Sequence, residues 1–81
     1  MRVEVFVTPR EGILDPQGRA VEHSLKSLGF ELVSGVRVGK YIVLELATES
    51  PAQARQLAEQ MCEQLLANTV IEDYRIRVEG E

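Results

Sequence analysis

The sequence predicts an α+β fold whose six elements follow one another in the order βαββαβ. Four short stretches alternate apolar and polar residues as strands do, two longer ones repeat apolar residues at helical spacing, and Gly or Pro separates them. With 81 residues, the chain has the size of one two-layer domain with a modest core. We therefore expect residues 1–81 to form a single domain.

The first two elements are a strand and a helix. Residues 2–8, RVEVFVT, alternate strictly between valines and other residues, which is typical of a strand. Asp15 followed by Pro16 predicts a helix start, because Asp caps free amide groups and Pro suits the first helical position. An apolar stripe of helical spacing then continues towards Gly29, so we expect a helix over residues 16–28.

The next two elements are predicted to form a hairpin. Residues 30–38 and 41–46 both alternate, which indicates a second and a third strand. Gly39 and Lys40 lie between them, and a Gly-first pair in this position is typical of a two-residue turn. The glycine is expected to make the turn.

The last two elements are a long helix and a final strand. Ser50 and Pro51 predict the helix start, and Asn68 is expected to end the helix in the left-handed conformation. Residues 71–78, IEDYRIRV, alternate again and predict the strand. The expected apolar face of the helix consists of Ala54, Leu57, Ala58, Met61, Cys62, Leu65 and Leu66.

This order is the split βαβ, or ferredoxin-like, two-layer sandwich, in which two helices cover one face of an antiparallel four-stranded sheet. The other face of the sheet would remain uncovered and would mix apolar with charged side chains, which favours a docking surface over a plain solvent surface. Its expected members are Glu4, Phe6, Glu31, Val33, Arg37, Tyr41, Val43, Glu45, Arg75 and Arg77.

Composition argues against several classes of partner. The net charge is −4, and no pair of aromatic residues is expected on neighbouring strands, so we expect no nucleic acid partner. The apolar stretches are too short to span a bilayer, and MRVEVFV lacks a signal-peptide pattern, so no membrane association is expected. A single cysteine fits a reducing compartment, and we expect a cytoplasmic protein.

No group of residues has the pattern of a catalytic site. His23 is expected to point to water, Cys62 to pack in the core, and Asp15 to cap its helix. Arg10 alone does not make the phosphate loop of an acylphosphatase, which TPREGILDPQG lacks, and GVRVGK has the wrong spacing for a P-loop. We expect no catalytic residue, no metal site and no cofactor on this chain.

Three stretches together resemble the PurS family, the small subunit of phosphoribosylformylglycinamidine synthase in purine biosynthesis. They are LDPQGRAVEHSLKSLGF (residues 14–30), VRVGKYIVLEL (residues 36–46) and MCEQLLANTVIEDYRI (residues 61–76). The resemblance implies a three-part ligase in which a glutaminase subunit releases ammonia and a synthetase subunit, carrying ATP and Mg, uses it. The small subunit, with no active site of its own, would join the other two and assist ammonia transfer. It would be a homodimer or a dimer of dimers.

The same resemblance suggests which residues contact the partners. The candidates recur in the family signature and are not needed for the expected core. The alternative is that Gly39 and Lys40 only make the turn and that Asp73 and Tyr74 only start the last strand. They are Arg37, Gly39, Lys40, Tyr41, Asp73 and Tyr74. The alternative function is a regulatory module of the ACT type, which shares the βαββαβ order and binds small molecules near the first loop, where Gly12 and Gly18 would matter.

Overall fold

The computed structural model describes residues 1–81 and contains two helices and one three-stranded antiparallel sheet, which confirms the α+β class. The strand order in the sheet is β2-β1-β3. The elements are β1 (Arg2–Pro9), α1 (Pro16–Ser27), β2 (Lys40–Glu45), α2 (Pro51–Met61), a π-helical turn (Cys62–Leu66) and β3 (Glu72–Val78).

The core lies between α2 and the two strands β1 and β3. Val3, Val5 and Val7 of β1 are fully buried, as the alternation of RVEVFVT predicts. The helix faces them with small side chains that allow close approach to the sheet, and Cys62 is fully buried among them, as expected. The remaining members of the core are Ala54, Ala58, Ala67, Ile76 and Val78.

The second helix begins as predicted and ends differently. The Ser50 hydroxyl accepts a hydrogen bond from the Gln53 amide, and Pro51 occupies the first turn. The helix then widens into the π-helical turn and stops at Ala67, whose backbone is extended. The prediction for Asn68 was wrong, because only glycines have positive φ in this chain.

The predicted second strand and hairpin turn do not form. Residues 33–39 contain neither turn nor bend and lead directly into β2. Gly39 does not have the positive φ that a Gly-first hairpin turn requires. Instead, Gly39 lies so close to β1 that a Cβ atom would overlap the carbonyl oxygen of Val7. The fourth strand of the predicted sheet is therefore absent, because residues 30–32 lie in the turn after α1 and residues 33–39 lead into β2 instead of folding back along it.

The first helix forms but does not pack on the sheet. Its only buried residue is Gly18, which lies against the carbonyl group of Val36 and the side chain of Asp15. The Asp15 carboxylate accepts hydrogen bonds from the Gly18 amide at 3.1 Å and from the Val38 amide at 2.9 Å. Residues 16–38 thus form a projecting unit, here called the arm, and the molecule measures 48 × 25 × 14 Å. The expectation that both helices cover one sheet face holds for α2 and was wrong for α1.

Candidate partner-binding site

The structure brings the six predicted contact residues to one end of the sheet. In the strand register, Val7 of β1 lies opposite Lys40 on one side and Tyr74 on the other. Their neighbours follow the same register, with Phe6 opposite Tyr41 and Thr8 opposite Asp73. Arg37 and Gly39 reach the same place, because Arg37 bonds to Pro9 and Gly39 contacts Val7 and Thr8. We call this region the sheet end.

Two of the predicted contact residues use their charged groups to hold the chain together. Arg37 donates a hydrogen bond from Nη1 to the carbonyl oxygen of Pro9 at 3.2 Å. Lys40 donates from Nζ to the carbonyl oxygen of Leu66 at 3.1 Å, at the end of the π-helical turn. A cation at this position satisfies a carbonyl group that the helix leaves free. Both side chains are exposed and stay accessible to a partner.

Tyr41 belongs to an aromatic pair on the uncovered sheet face. Its ring lies 5.2 Å from the Phe6 ring, centroid to centroid, and its hydroxyl donates to Glu4 Oε2 at 2.5 Å. Arg77 also bonds to Glu4, with Nη2 at 2.8 Å from Oε1. The Tyr41 hydroxyl, followed by Arg77, lowers the pKa of the Glu4 carboxyl. The expectation that neighbouring strands carry no aromatic pair was wrong, since it depended on a register that the sequence does not specify.

Arg75 on this face lacks an acidic partner. The guanidinium of Arg75 lies 4.8 Å above the centroid of the Phe6 ring, and none of the ion pairs of the structure includes it. A shallow recess of about 290 Å³ lies beside it, lined by Phe6, Thr8, Asp73, Tyr74 and Arg75. The recess borders the sheet end, because Asp73 and Tyr74 belong to both.

Asp73 and Tyr74 are tied to neighbours that sequence reasoning did not connect with them. Arg10 lies 3.4 Å from the Asp73 carboxylate and donates from Nη2 to the carbonyl oxygen of Thr69 at 2.5 Å. The carboxylate of Glu63 is the main cause that raises the pKa of Tyr74 to about 12. Arg10 was considered as an anion ligand, whereas its bonds bridge the first loop and the chain before β3.

Three large apolar side chains are exposed next to the sheet end. Leu65 is 82% exposed, Val70 is 79% exposed and Ile71 is 41% exposed. Leu65 was expected in the apolar stripe of the helix, but the π-helical turn adds a residue to the turn and rotates this side chain outwards. Exposed apolar groups beside fixed charges are typical of protein interfaces.

The remaining candidates for chemistry are isolated from one another. His23 is exposed on α1, and burial raises the pKa of the Cys62 thiol. No three His, Cys, Asp or Glu side chains are placed to hold a metal ion, and none of the helices has the length and apolar character needed to cross a membrane. Gly12 borders open space, whereas Gly18 is packed, so the pair does not frame one ligand cavity. His23 and Cys62 thus lie in separate parts of the fold.

Comparison with known proteins gives a consistent result over nearly the whole chain. The family described as PurS, phosphoribosylformylglycinamidine (FGAM) synthase, matches residues 2–80. The chain is 50% identical to the PurS subunit of Bacillus subtilis over 78 residues, which are 96% of this chain and 92% of that protein. It is 53% identical to the PurS subunit of Synechocystis over 70 residues, which are 86% of this chain and 70% of that protein.

Solved structures agree with the sequence comparison. The C2 crystal form of B. subtilis PurS superposes with a TM-score of 0.84 at 50% identity and covers 96% of each chain. A chain in the structure of PurLQS from Thermotoga maritima superposes with a TM-score of 0.85 at 32% identity and covers 95% of this chain and 94% of its own. The chain therefore belongs to the PurS family of phosphoribosylformylglycinamidine synthase subunits.

Proposed function

We propose that this chain is the non-catalytic small subunit of phosphoribosylformylglycinamidine synthase in purine biosynthesis. In this role, residues 1–81 act as one domain that joins the glutaminase subunit to the synthetase subunit and assists ammonia transfer between them. The observation that carries the proposal is the similarity to a chain of the PurLQS structure, which extends over 95% of the residues. ATP and Mg belong to the synthetase subunit, this chain binds no cofactor, and the complex is cytoplasmic.

A joining subunit has a physical purpose in such a reaction. Ammonia released at one site diffuses away and is protonated in water unless the consuming site is held close to it. Holding two sites together raises the effective concentration of the intermediate without any new chemistry. A small, rigid chain can do this with its surface alone, which agrees with the isolation of His23 and Cys62 from each other.

We assign the contacts with the larger subunits to the sheet end. It combines the exposed side chains of Arg37, Lys40, Tyr41 and Asp73 with the apolar group Leu65, Val70 and Ile71. The half-buried Tyr74 and Gly39, which lies close to β1, belong to the same region. A standard interface removes about 800 Å² from each partner. The chain exposes 5911 Å², which leaves room for the larger subunits and for the second copy of a homodimer, or for a dimer of dimers.

The test is reconstitution with the glutaminase and synthetase subunits. Turnover with glutamine should require this chain, whereas turnover with added ammonium salt should continue without it, because free ammonia needs no transfer between subunits. Equal glutamine-dependent turnover with and without the chain would contradict the proposal. Loss of both activities without the chain would also contradict it, because the chain would then support the synthetase chemistry itself.

A double variant tests the sheet end. Leu65→Ser with Val70→Ser should lower glutamine-dependent turnover at limiting chain at least tenfold and leave ammonia-dependent turnover unchanged, since both residues are exposed and outside the core. The matched control is Gln56→Ser with Gln60→Ser on the exposed side of α2, which should change neither activity. Equal effects of the two double variants would exclude the sheet end as the contact region.

A further inference from the structure

The uncovered face of the sheet carries two aromatic rings and one guanidinium group in line. In the strand register, Phe6 of β1 lies opposite Tyr41 of β2 on one side and opposite Arg75 of β3 on the other. The Phe6 ring contacts both neighbours, with 5.2 Å between its centroid and that of Tyr41 and 4.8 Å between its centroid and the Arg75 guanidinium. We call these three residues the aromatic row.

The carboxylates next to the aromatic row already have cationic partners. Glu4 accepts hydrogen bonds from Arg77, with 2.8 Å between Nη2 and Oε1. Asp73 lies 3.4 Å from Arg10. Arg75 belongs to none of the ion pairs of the chain. The aromatic row therefore includes a positive charge without an acidic partner, and an anionic ligand can supply that partner.

The rings of the aromatic row offer an apolar surface that a flat group can cover. Tyr41 is 54% exposed, and Val43, which follows on the same face of β2, is 43% exposed. The Tyr41 hydroxyl donates a hydrogen bond to Glu4 Oε2 at 2.5 Å, which holds the ring in one position. Aromatic side chains that are fixed and exposed in this way stack with nucleobases, because every base has a flat π-face.

The recess of about 290 Å³ beside Arg75 gives a phosphate a place within reach of these rings. A guanidinium group binds a phosphate through two parallel hydrogen bonds. The hydroxyl of Thr8, which also lines the recess, can donate a third hydrogen bond. Neighbouring strands are about 4.8 Å apart, so the backbones at Tyr41 and Arg75 are separated by about 10 Å. A nucleotide bridges such a separation from its base to its phosphate.

We propose that the aromatic row binds a 5′-mononucleotide, with the base on Tyr41 and the phosphate on Arg75. Phe6 lies between the two and contacts the sugar side of the ligand. The nucleotide is a bound ligand and not a reacting cofactor. The inference goes beyond the proposed function and does not rest on it.

The charges of the chain favour a free nucleotide over a nucleic acid strand. A strand is held through several phosphate contacts, and the net charge of −4 repels it. The other arginines of this face lie beside carboxylates, since Arg77 bonds to Glu4 and Arg2 lies opposite Glu45. One phosphate on Arg75 needs none of them.

An NMR titration of the full chain with adenosine 5′-monophosphate tests the site. Binding should saturate with a Kd at or below about 1 mM. The amide resonances of Phe6, Thr8, Tyr41 and Arg75 should shift. Adenosine alone and inorganic phosphate alone should each bind at least about tenfold more weakly, because each makes one of the two contacts.

Substitutions at exposed positions separate the two contacts. Arg75→Gln should weaken the binding of adenosine 5′-monophosphate at least about tenfold and leave the binding of adenosine unchanged. Tyr41→Leu should weaken both ligands, whereas Tyr41→Phe, which keeps a ring, should weaken neither. The matched control is Arg19→Gln, which removes the same charge from α1 and should also weaken neither.

Each alternative to the site has its own result. Absence of saturation, or shifts confined to residues outside the aromatic row and its recess, would overturn the proposal. Inorganic phosphate that binds as tightly as the nucleotide would indicate a simple anion site. An oligoadenylate that binds at least about tenfold more tightly than the mononucleotide would indicate a surface for single-stranded nucleic acid. Both of these results, and equal losses in Arg75→Gln and Arg19→Gln, would also overturn the proposal.

The titration is independent of the role in the complex. Tyr41 also belongs to the sheet end, so the nucleotide is added to the chain without the larger subunits. A chain that binds no nucleotide and restores glutamine-dependent turnover would overturn this inference and leave the proposed function in place. A chain that binds the nucleotide without restoring turnover would do the reverse.

Discussion

The body of the molecule, which consists of the sheet and α2, and the arm carry equally regular sequence patterns. The apolar side chains are buried in the body and exposed in the arm. In the body, the valines of β1 alternate and are fully buried beneath α2. In the arm, the apolar stripe of α1 and the alternation of residues 30–38 are just as regular, yet Leu28 and Leu32 are exposed. Periodicity therefore predicts which face of an element is apolar, but does not specify whether the same copy covers it.

The largest expected effect is the difference in the free energy of unfolding between a variant in the body and a variant in the arm. Ile76→Ala removes buried methyl and methylene groups between β3 and α2 and should lower the free energy of unfolding by roughly 2–4 kcal/mol. Leu32→Ala, at a position 99% exposed, should change it by less than about 0.5 kcal/mol in dilute protein. Urea unfolding followed by circular dichroism measures both. A comparable loss for Leu32→Ala at low concentration would mean that the arm is buried within one copy.

Gly39 lies at the junction between the arm and the body. Gly39→Ala should lower the free energy of unfolding by roughly 1–3 kcal/mol, because the new Cβ overlaps the Val7 carbonyl and pushes β2 from β1. Gly35→Ala is the matched control, since no atom lies within 4 Å of its Cβ position. Thermal unfolding of the two variants checks the difference. Equal melting temperatures would show that the chain does not pass close to β1 at Gly39.

A smaller effect is expected from pH, because the hydrogen bonds that Asp15 accepts from Gly18 and Val38 hold the arm. Hydrogen bonds from the Val38 amide, and then from the Gly18 amide, lower the pKa of Asp15. A lowered folded-state pKa means that this contribution is full above the ordinary value of 3.8 and is lost as the pH falls through the folded value. Acid should therefore shift the amide resonances of Val38 and Gly18 in NMR spectra. Asp15→Asn should abolish this titration, and its persistence in that variant would assign it to another group.

The smallest expected effect is a loss of stability at alkaline pH, caused by Tyr74 in the body. Glu63 raises the pKa of Tyr74 from 10.0 to about 12, so the folded state holds the phenol proton more tightly than the unfolded state. Stability should consequently fall as the pH rises from 10 to 12. Tyr74→Phe should reduce this loss, as measured by urea unfolding at both ends of the range. An unchanged slope in Tyr74→Phe would exclude Tyr74 as its source.

The sequence was sufficient for elements whose pattern and packing agree. Alternation predicted β1 and the last strand, and the Ser50-Pro51 start predicted α2, because these signals are local. The Gly39-Lys40 pair was ambiguous, since glycine serves a turn and a close approach equally well. Only the nearness of the Val7 carbonyl, a tertiary contact, decides between them.

The candidate site was predicted in its members and not in its geometry. The six residues were chosen from a family resemblance, and only the register around Phe6–Pro9 explains why they come together. Arg10 was missed as a bridge because its partners lie about sixty residues further along the chain. Leu65 was misplaced because a π-helical turn leaves no signal in the apolar spacing.

Amide hydrogen exchange at two protein concentrations tests most directly whether the body folds alone and the arm is completed by a second copy. Amides of β1 and β3 should be protected at both concentrations. Amides of residues 34–37 should be protected only where the dimer forms and exchange freely in dilute monomer. Equal protection of residues 34–37 at both concentrations, with a monomer present in the dilute sample, would contradict the account.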